Sequence, residues 1–235
     1  MTGDTLHVTR HPSTPLRAGP SLDTRHMMRY VQARLLRGLP DDAEPTGSFR
    51  SNGAARWEHT RRVLATAQKI ARTEGADYDV VTVAAIFHDV AKMDSEQDEH
   101  AVRGAEIARV YLTQAGFAAD WIARVCQAIV NHPAALVFSA DDRPLEDCVL
   151  RDADLLNETG ALGILWTAMN AGRLGAASYA ETRERIVRYD RQGAEQVAAR
   201  MLTRAGREIE QQRLAFVDAF IAQMDEECGT DLEGS

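Results

Sequence analysis

The stretch that most constrains this chain is Val80-Val-Thr-Val-Ala-Ala-Ile-Phe87, which runs straight into His88-Asp89. A helix this apolar all round is a buried one. It delivers an imidazole and a carboxylate into the interior, where such groups are costly without partners. Successive side chains on a helix point about 100° apart, so the doublet faces one cleft only if it lies near a helix end. A metal ion satisfies both groups, but two mixed N/O ligands do not make a site. The rest of the chain must supply more.

Composition sets the frame. With 235 residues, 45% of them hydrophobic, the chain can bury a full core, and one large domain is expected. The formal net charge of -8 argues against non-specific nucleic-acid binding, which rests on Lys and Arg neutralising phosphates. It leaves phosphorylated small molecules open, because bound metal supplies local positive charge. Cys126, Cys148 and Cys228 are widely spaced and form no CxxC pair, which reads as a reduced protein without a disulfide framework. No signal-peptide pattern and no membrane-spanning apolar run are present. The expectation is a soluble, cytoplasmic protein that does not engage membranes.

Helical spacing recurs along the whole chain. Residues 1–22 read as a mobile tail, with His7 and His11 as surface groups. A helix begins at Asp23, carries His26 on its first turn, and stops at Gly38-Leu39-Pro40. After a polar loop over 41–53, a helix runs from Ala54 to Glu74 and ends at Gly75, with Val63, Leu64, Ala67, Ile70 and Ala71 inward. His59 sits one turn before Val63, at the edge of that face. The central helix is expected over Asp77–Lys92, capped by Asp77 or Asp79. An acidic loop over 94–99 follows.

His100 then opens a helix in which Gly104 permits close approach, and Ala118 to Asn131 forms the next, ended by Asn131-His132-Pro133. Past a polar turn at 139–144, Leu145–Asn157 carries Asp152 and Asp154 on different faces, so one of them points to the centre. Gly160 to Gly175 is an apolar, glycine-rich helix. Two charged helices close the chain, over 184–202 and 208–227; in the second, Ile209, Phe216, Phe220 and Met224 are expected to pack as core. No stretch alternates with period two, so the fold class is all-α. The division is a tail over 1–22, a single domain with a C-terminal helical extension over 23–227, and a tail over 228–235.

His59, His88-Asp89, His100, His132 and Asp154 come in this order from five helix ends or edges, a pattern that suits an all-α metal site. On His59 with Arg62-Val63, on the doublet with Lys92, and on Ala153-Asp154-Leu155, the chain resembles the HD-domain superfamily of metal-dependent phosphohydrolases. It is most similar to the small bacterial single-domain members, over roughly Asp23 to Glu227. The resemblance implies an HD-type helical bundle with a metal site at its centre. It implies a first ion on His59, His88, Asp89 and Asp154, with Asp152 as fallback, and in the two-metal branch a second ion on His100 and His132 with Asp89 bridging. The stretch from Asp89 to His100 is shorter than in many two-metal members. Two further departures border the pocket: Ala55-Arg56 stands where relatives often carry His-Asp, and Leu155 and Asn157 where they often carry Arg and Asp.

Imidazoles and carboxylates tolerate Mn, Fe, Co, Ni or Zn, one or two per chain, and such ions acidify a water for attack on phosphorus. Asp89 and Lys92 are the catalytic candidates, with Lys92 placed by helical periodicity from Asp89. Arg62 and Arg56 are candidates for substrate phosphate. The leading reading is hydrolysis of a nucleotide or other small phosphate ester. Two alternatives accompany it: a di-iron oxygenase cleaving a C–C or C–P bond, and a regulatory nucleotide-binding domain. Pairing of the end helices into a homo-oligomer is left open.

Overall fold

The computed structural model describes residues 20–37, 52–94, 99–133, 143–176 and 178–229. His7 and His11, the polar loop over 41–51, most of the acidic loop, the turn before Arg143 and residues 230–235 lie outside the described residues. Among the described residues every regular element is helical: α1 (Thr24–Leu35), α2 (Gly53–Glu74), α3 (Tyr78–Phe87), α4 (His100–Gln114), α5 (Ala119–Asn131), α6 (Leu145–Leu156), α7 (Ala161–Arg173), α8 (Tyr179–Ile186), a π-helical turn (Val187–Arg191), α9 (Gln192–Ala198) and α10 (Arg204–Cys228). None of these helices is long and apolar enough to cross a membrane.

The apolar run of α3 is the centre of the molecule, as its composition requires. Every residue from Val80 to Phe87 is buried, and α2, α5 and α6 pack around it. Side chains of the size of Ile86 and Phe87 contribute about 1.5–3 kcal/mol each when fully buried. Asn52 accepts from Ala54 and Ala55 N–H to start α2, and Gly75, at φ 75°, ends it in the left-handed region. Asp77 is the residue that caps α3, accepting from Val80 N–H.

The central helix is shorter than expected. It stops at Phe87 rather than Lys92, and the chain continues in tight turns, with Val90 N–H donating to Phe87 O (3.1 Å), Lys92 N–H to Asp89 O (2.9 Å) and Asp94 N–H to Ala91 O (3.0 Å). The cause is local: His88 Nδ1 lies 2.8 Å from Ala85 O, the carbonyl that Asp89 N–H would use in a continued helix. The N-terminal half of α4 crosses this end closely. A Cβ on Gly104 would stand 3.2 Å from His88 O.

Two C-terminal expectations are corrected. The helix expected over 184–202 runs without interruption from 179 to 198, with a π turn inside it between α8 and α9. The stripe on α10 is also displaced. Phe216 (48%) and Phe220 (36%) are exposed, because Ala205, Gly206, Glu210 and Val217 face inward and Phe216 lies about 100° around the helix from Val217. Ile209 does pack against the main core, and Met224 against a small cluster of Ile164, Ile186 and Val217.

Asp152 is a fold residue. It accepts from Leu202 N–H (3.0 Å), Thr203 N–H (2.7 Å) and Thr203 Oγ1 (2.7 Å), and Thr203 Oγ1 in turn accepts from Gly206 N–H to cap α10. Burial pushes the Asp152 carboxyl up, and these bonds oppose the shift. Asp152→Ala leaves buried donors unpaired, so it is expected to lower unfolding free energy by about 2–3 kcal/mol in urea denaturation while metal content is unchanged.

Asp190, on the π turn, is buried, and one of its oxygens lacks a hydrogen-bond partner. Burial raises its carboxyl to about 6, against a bond from Thr167. The folded protein therefore takes up this proton at higher pH than the unfolded chain does. Stability from this group is fully present below about pH 4 and is lost as pH rises through about 6. Asp190→Asn is expected to stabilise the metal-free protein on the order of 1–2 kcal/mol at pH 8 and to be near neutral at pH 4, measured by denaturation at both values.

Candidate metal centre

Six side chains reach one buried point from five elements. His59 comes from α2, His88 and Asp89 from the end of α3, His100 from the first position of α4, His132 from the residue after α5, and Asp154 from the last turn of α6. The four histidines and Asp89 are all buried. The structure brings Asp154 to this cluster and places Asp152 at α10.

Asp89 divides the cluster in two. Its Oδ2 lies 3.5 Å from His59 Nε2 and 3.7 Å from His88 Nε2. Its Oδ1 lies 3.5 Å from His100 Nε2 and 3.9 Å from His132 Nε2. His59, His88 and Asp89 form one donor group, and Asp89, His100 and His132 another. Asp154 Oδ1 joins the first, 3.1 Å from His59 Nε2 and 3.9 Å from His88 Nε2.

The spacing within each group suits a divalent ion. With metal–nitrogen bonds of about 2.1 Å, neighbouring nitrogens lie roughly 3.0 Å apart around an octahedral ion and roughly 3.4 Å around a tetrahedral one. The Nε2 pairs here are 3.1 Å apart for His59 and His88, and 3.3 Å for His100 and His132. The donor set of imidazoles and carboxylates without thiolate matches first-row divalent metals.

The surroundings prepare these donors. His88 Nδ1 and His132 Nδ1 lie 2.8 and 2.6 Å from Ala85 O and Ile129 O. A carbonyl only accepts, so each Nδ1 carries the proton and each Nε2 lone pair faces the centre. Burial lowers the pKa of both imidazoles, keeping them neutral and available. Burial alone would raise the Asp89 carboxyl, but His88, His59, Arg56 and His132 outweigh it and hold it well below the usual carboxylate range. Asp154 is held low in the same way, burial being outweighed by His59, His88 and His132.

The remaining sequence candidates surround this core. Arg56 Nη1 donates to Asp89 Oδ2 at 2.9 Å. Arg62 Nε donates to Asn157 Oδ1 at 2.8 Å, and Asn157 Nδ2 lies 2.7 Å from His59 Nδ1. Arg62 therefore reaches the centre through Asn157. Lys92 Nζ stands 3.3 Å from both ring nitrogens of His100. It arrives there by the turns after Phe87, not by helical periodicity from Asp89, and burial lowers its pKa.

Asn157, which the resemblance marks as a departure at the border of the pocket, lies inside the site, whereas Glu158 and Trp166 were not legible as site residues; their only signal is that α7 starts soon after Asp154. The Leu156–Gly160 segment holding Asn157 is fastened from α10. Thr159 Oγ1 donates to the buried Glu210 Oε2 at 2.6 Å, and Arg213 donates to Leu156 O and Thr159 Oγ1. A cleft of about 240 Å³ opens beside His59. Arg56, Glu58, Arg62, Asn157 and Glu158 form its polar side, and Leu162, Leu165, Trp166 and Met169 of α7 its apolar side.

Residues 56–158 of this chain match the family model of the HD domain. The chain's fold is shared by an HD-superfamily hydrolase from Bacillus thuringiensis, 22% identical, TM-score 0.63, the match covering 88% of this chain and 98% of that one. Bacillus subtilis YpgQ, solved in complex with ADP, is 23% identical with a TM-score of 0.60 over 90% of this chain and 98% of its own. A predicted HD-superfamily hydrolase from an uncultured Thermotogales bacterium is 22% identical with a TM-score of 0.57, covering 86% and 91% of the two chains.

Metal analysis of purified variants tests the arrangement. Asp89→Ala is expected to lose both ions, because both groups share that carboxylate, and His132→Ala to fall from two ions toward one. Asp154→Ala is expected to lose metal where Asp152→Ala does not. Asn157→Ala is expected to weaken the His59 site about 10- to 100-fold, the usual cost of removing a partner that orients a ligand.

Proposed function

We propose that the protein is a metal-dependent phosphohydrolase acting on a nucleotide or another small phosphate ester. The observation that carries this reading is Asp89, whose two oxygens face two separate histidine pairs, one of which includes His59 in the wall of a cleft bearing arginines. Divalent ions held by His59, His88, Asp89 and Asp154, and by Asp89, His100 and His132, would supply Lewis acidity toward a phosphoryl oxygen and lower the pKa of water there.

The chain's own groups account for the remaining needs of the reaction. Arg56 and Arg62 both line the cleft, so a phosphate entering beside His59 meets two guanidinium groups whose forked donors suit its oxygens. Arg56 also neutralises Asp89 at 2.9 Å, which keeps the shared carboxylate ionised. Lys92 carries protons at Nζ on the opposite flank, beside His100. Its lowered pKa makes it the better placed donor to a leaving oxygen. The apolar side of the cleft limits water around the bound ester. The likeness to an HD-superfamily hydrolase of Bacillus thuringiensis and to YpgQ, which holds ADP, supports the same reading.

The test is metal identity on protein purified without chelator or nickel resin, followed by a screen of nucleoside monophosphates, cyclic nucleotides and dinucleoside polyphosphates. Mn, Co, Ni or Zn with hydrolysis of at least one of these substrates is the expected result. Two irons per chain with O₂ uptake on reduction and no hydrolysis of any of them would replace it with the oxygenase. Lys92→Ala is expected to retain its metal and lose about 10²-fold or more in kcat, the scale of a general acid, in steady-state phosphate release.

A further inference from the structure

The two sides of the cleft are chemically unlike, and in the proposal above the apolar one serves only to limit water. Leu162, Leu165, Trp166 and Met169 recur at i, i+3, i+4 and i+7 on α7, which puts them on one face. The opposite face of α7 is satisfied, with Gly163, Ile164, Thr167 and Ala171 buried. Leu165 and Met169 are each 57% exposed and Leu162 is 47% exposed. A contiguous exposed stripe of large apolar groups marks a binding surface more often than scattered ones do.

The stripe is continuous with the metal centre, because the same cleft is lined by His59, Arg56 and Arg62. A molecule seated there touches the arginines beside the metal centre with one end and α7 with the other. The complementary ligand is anionic at one end and apolar at the other. At about 240 Å³, the cleft falls below the ~300 Å³ where pockets for drug-sized ligands begin. That volume has room for about one ring system. Trp166 offers the largest flat surface in that wall. An indole face stacks on any base regardless of its edge pattern. Leu162, Leu165 and Met169 bring no strong hydrogen-bonding group with which to read that edge.

Building on the phosphohydrolase reading, we propose that the Leu162–Met169 stripe seats the single base of a mononucleotide against Trp166, so that the site selects for a flat ring and not for base identity.

The test is equilibrium binding to the Mn-loaded full chain of two non-hydrolysable probes that share their anionic end, α,β-methylene-ADP and methylenediphosphonate. Trp166→Ala is expected to weaken α,β-methylene-ADP about tenfold or more, the scale of base–aromatic stacking, and methylenediphosphonate less than twofold. Trp166→Phe is expected to recover most of the loss, which a folding defect would not show. The guanine and cytosine analogues are expected within about fivefold of adenine in the wild type. Equal losses for both probes, or none for the nucleotide, overturn the proposal. So does a wild type that binds the two probes equally, a result that leaves the phosphohydrolase reading standing. If the metal-loaded wild type binds neither probe, that reading falls and takes this one with it. A dimer that dissociates on Leu165→Ser with nucleotide affinity unchanged would assign the stripe to a second copy of the chain, and also overturn it.

Discussion

The structure turns on one carboxylate kept ionised where water does not reach. Asp89 is buried at the end of a helix with no other polar side chain than Thr82 beyond its first turn. An isolated charge there would cost many times the net stability of a domain. Arg56 from α2 answers part of that cost, and the imidazoles from α2, α4, the end of α5 and Asp89's own neighbour His88 complete donor groups whose divalent ions would answer the rest. Helices α2, α4 and α5 each bring an imidazole to within 3.9 Å of one of the Asp89 oxygens, and α6 brings Asp154 to His59. Their packing around α3 and the assembly of the donors are therefore a single requirement.

The way α3 ends matters as much as its burial. A continued helix would have sent His88 and Asp89 to different faces. The imidazole of His88 takes the Ala85 carbonyl and the chain leaves α geometry one residue too early for that. His132 repeats the device at the end of α5, bonding Ile129 O just before Pro133. In both places one hydrogen bond does two things. It closes a helix, and it leaves the other ring nitrogen as a lone pair facing the centre.

Most of this was legible in the chain. The all-α class followed from helical spacing throughout, and the buried central helix from its unbroken apolar run. The ordered histidines and aspartates pointed to one centre because each is an anomaly where it stands. What was not legible depends on contacts between elements distant in sequence. Asp152 and Asp154 are alike by pattern, and only the arrival of α10 at Asp152 separates them. Phe216 and Phe220 look like core until the inward face of α10 is known to be Gly206, Glu210 and Val217. Asn157 is an ordinary helix-end residue until Arg62 and His59 close on either side of it. The π turn inside the helix expected over 184–202 leaves no mark in the hydrophobic pattern.

The fastening of Leu156–Gly160 by Glu210 and Arg213 has a consequence for where this domain stops. The family match ends at residue 158, one position before the threonine that Glu210 grips. Inheritance and mechanics thus draw different borders on the same chain. The segment shared with the superfamily supplies the donors, while a helix some fifty positions later holds the loop that steadies one of them. Relatives that differ in their closing helices could keep every ligand and still hold their first metal with a different stiffness. Divergence within such a family can accordingly proceed from outside its recognisable core.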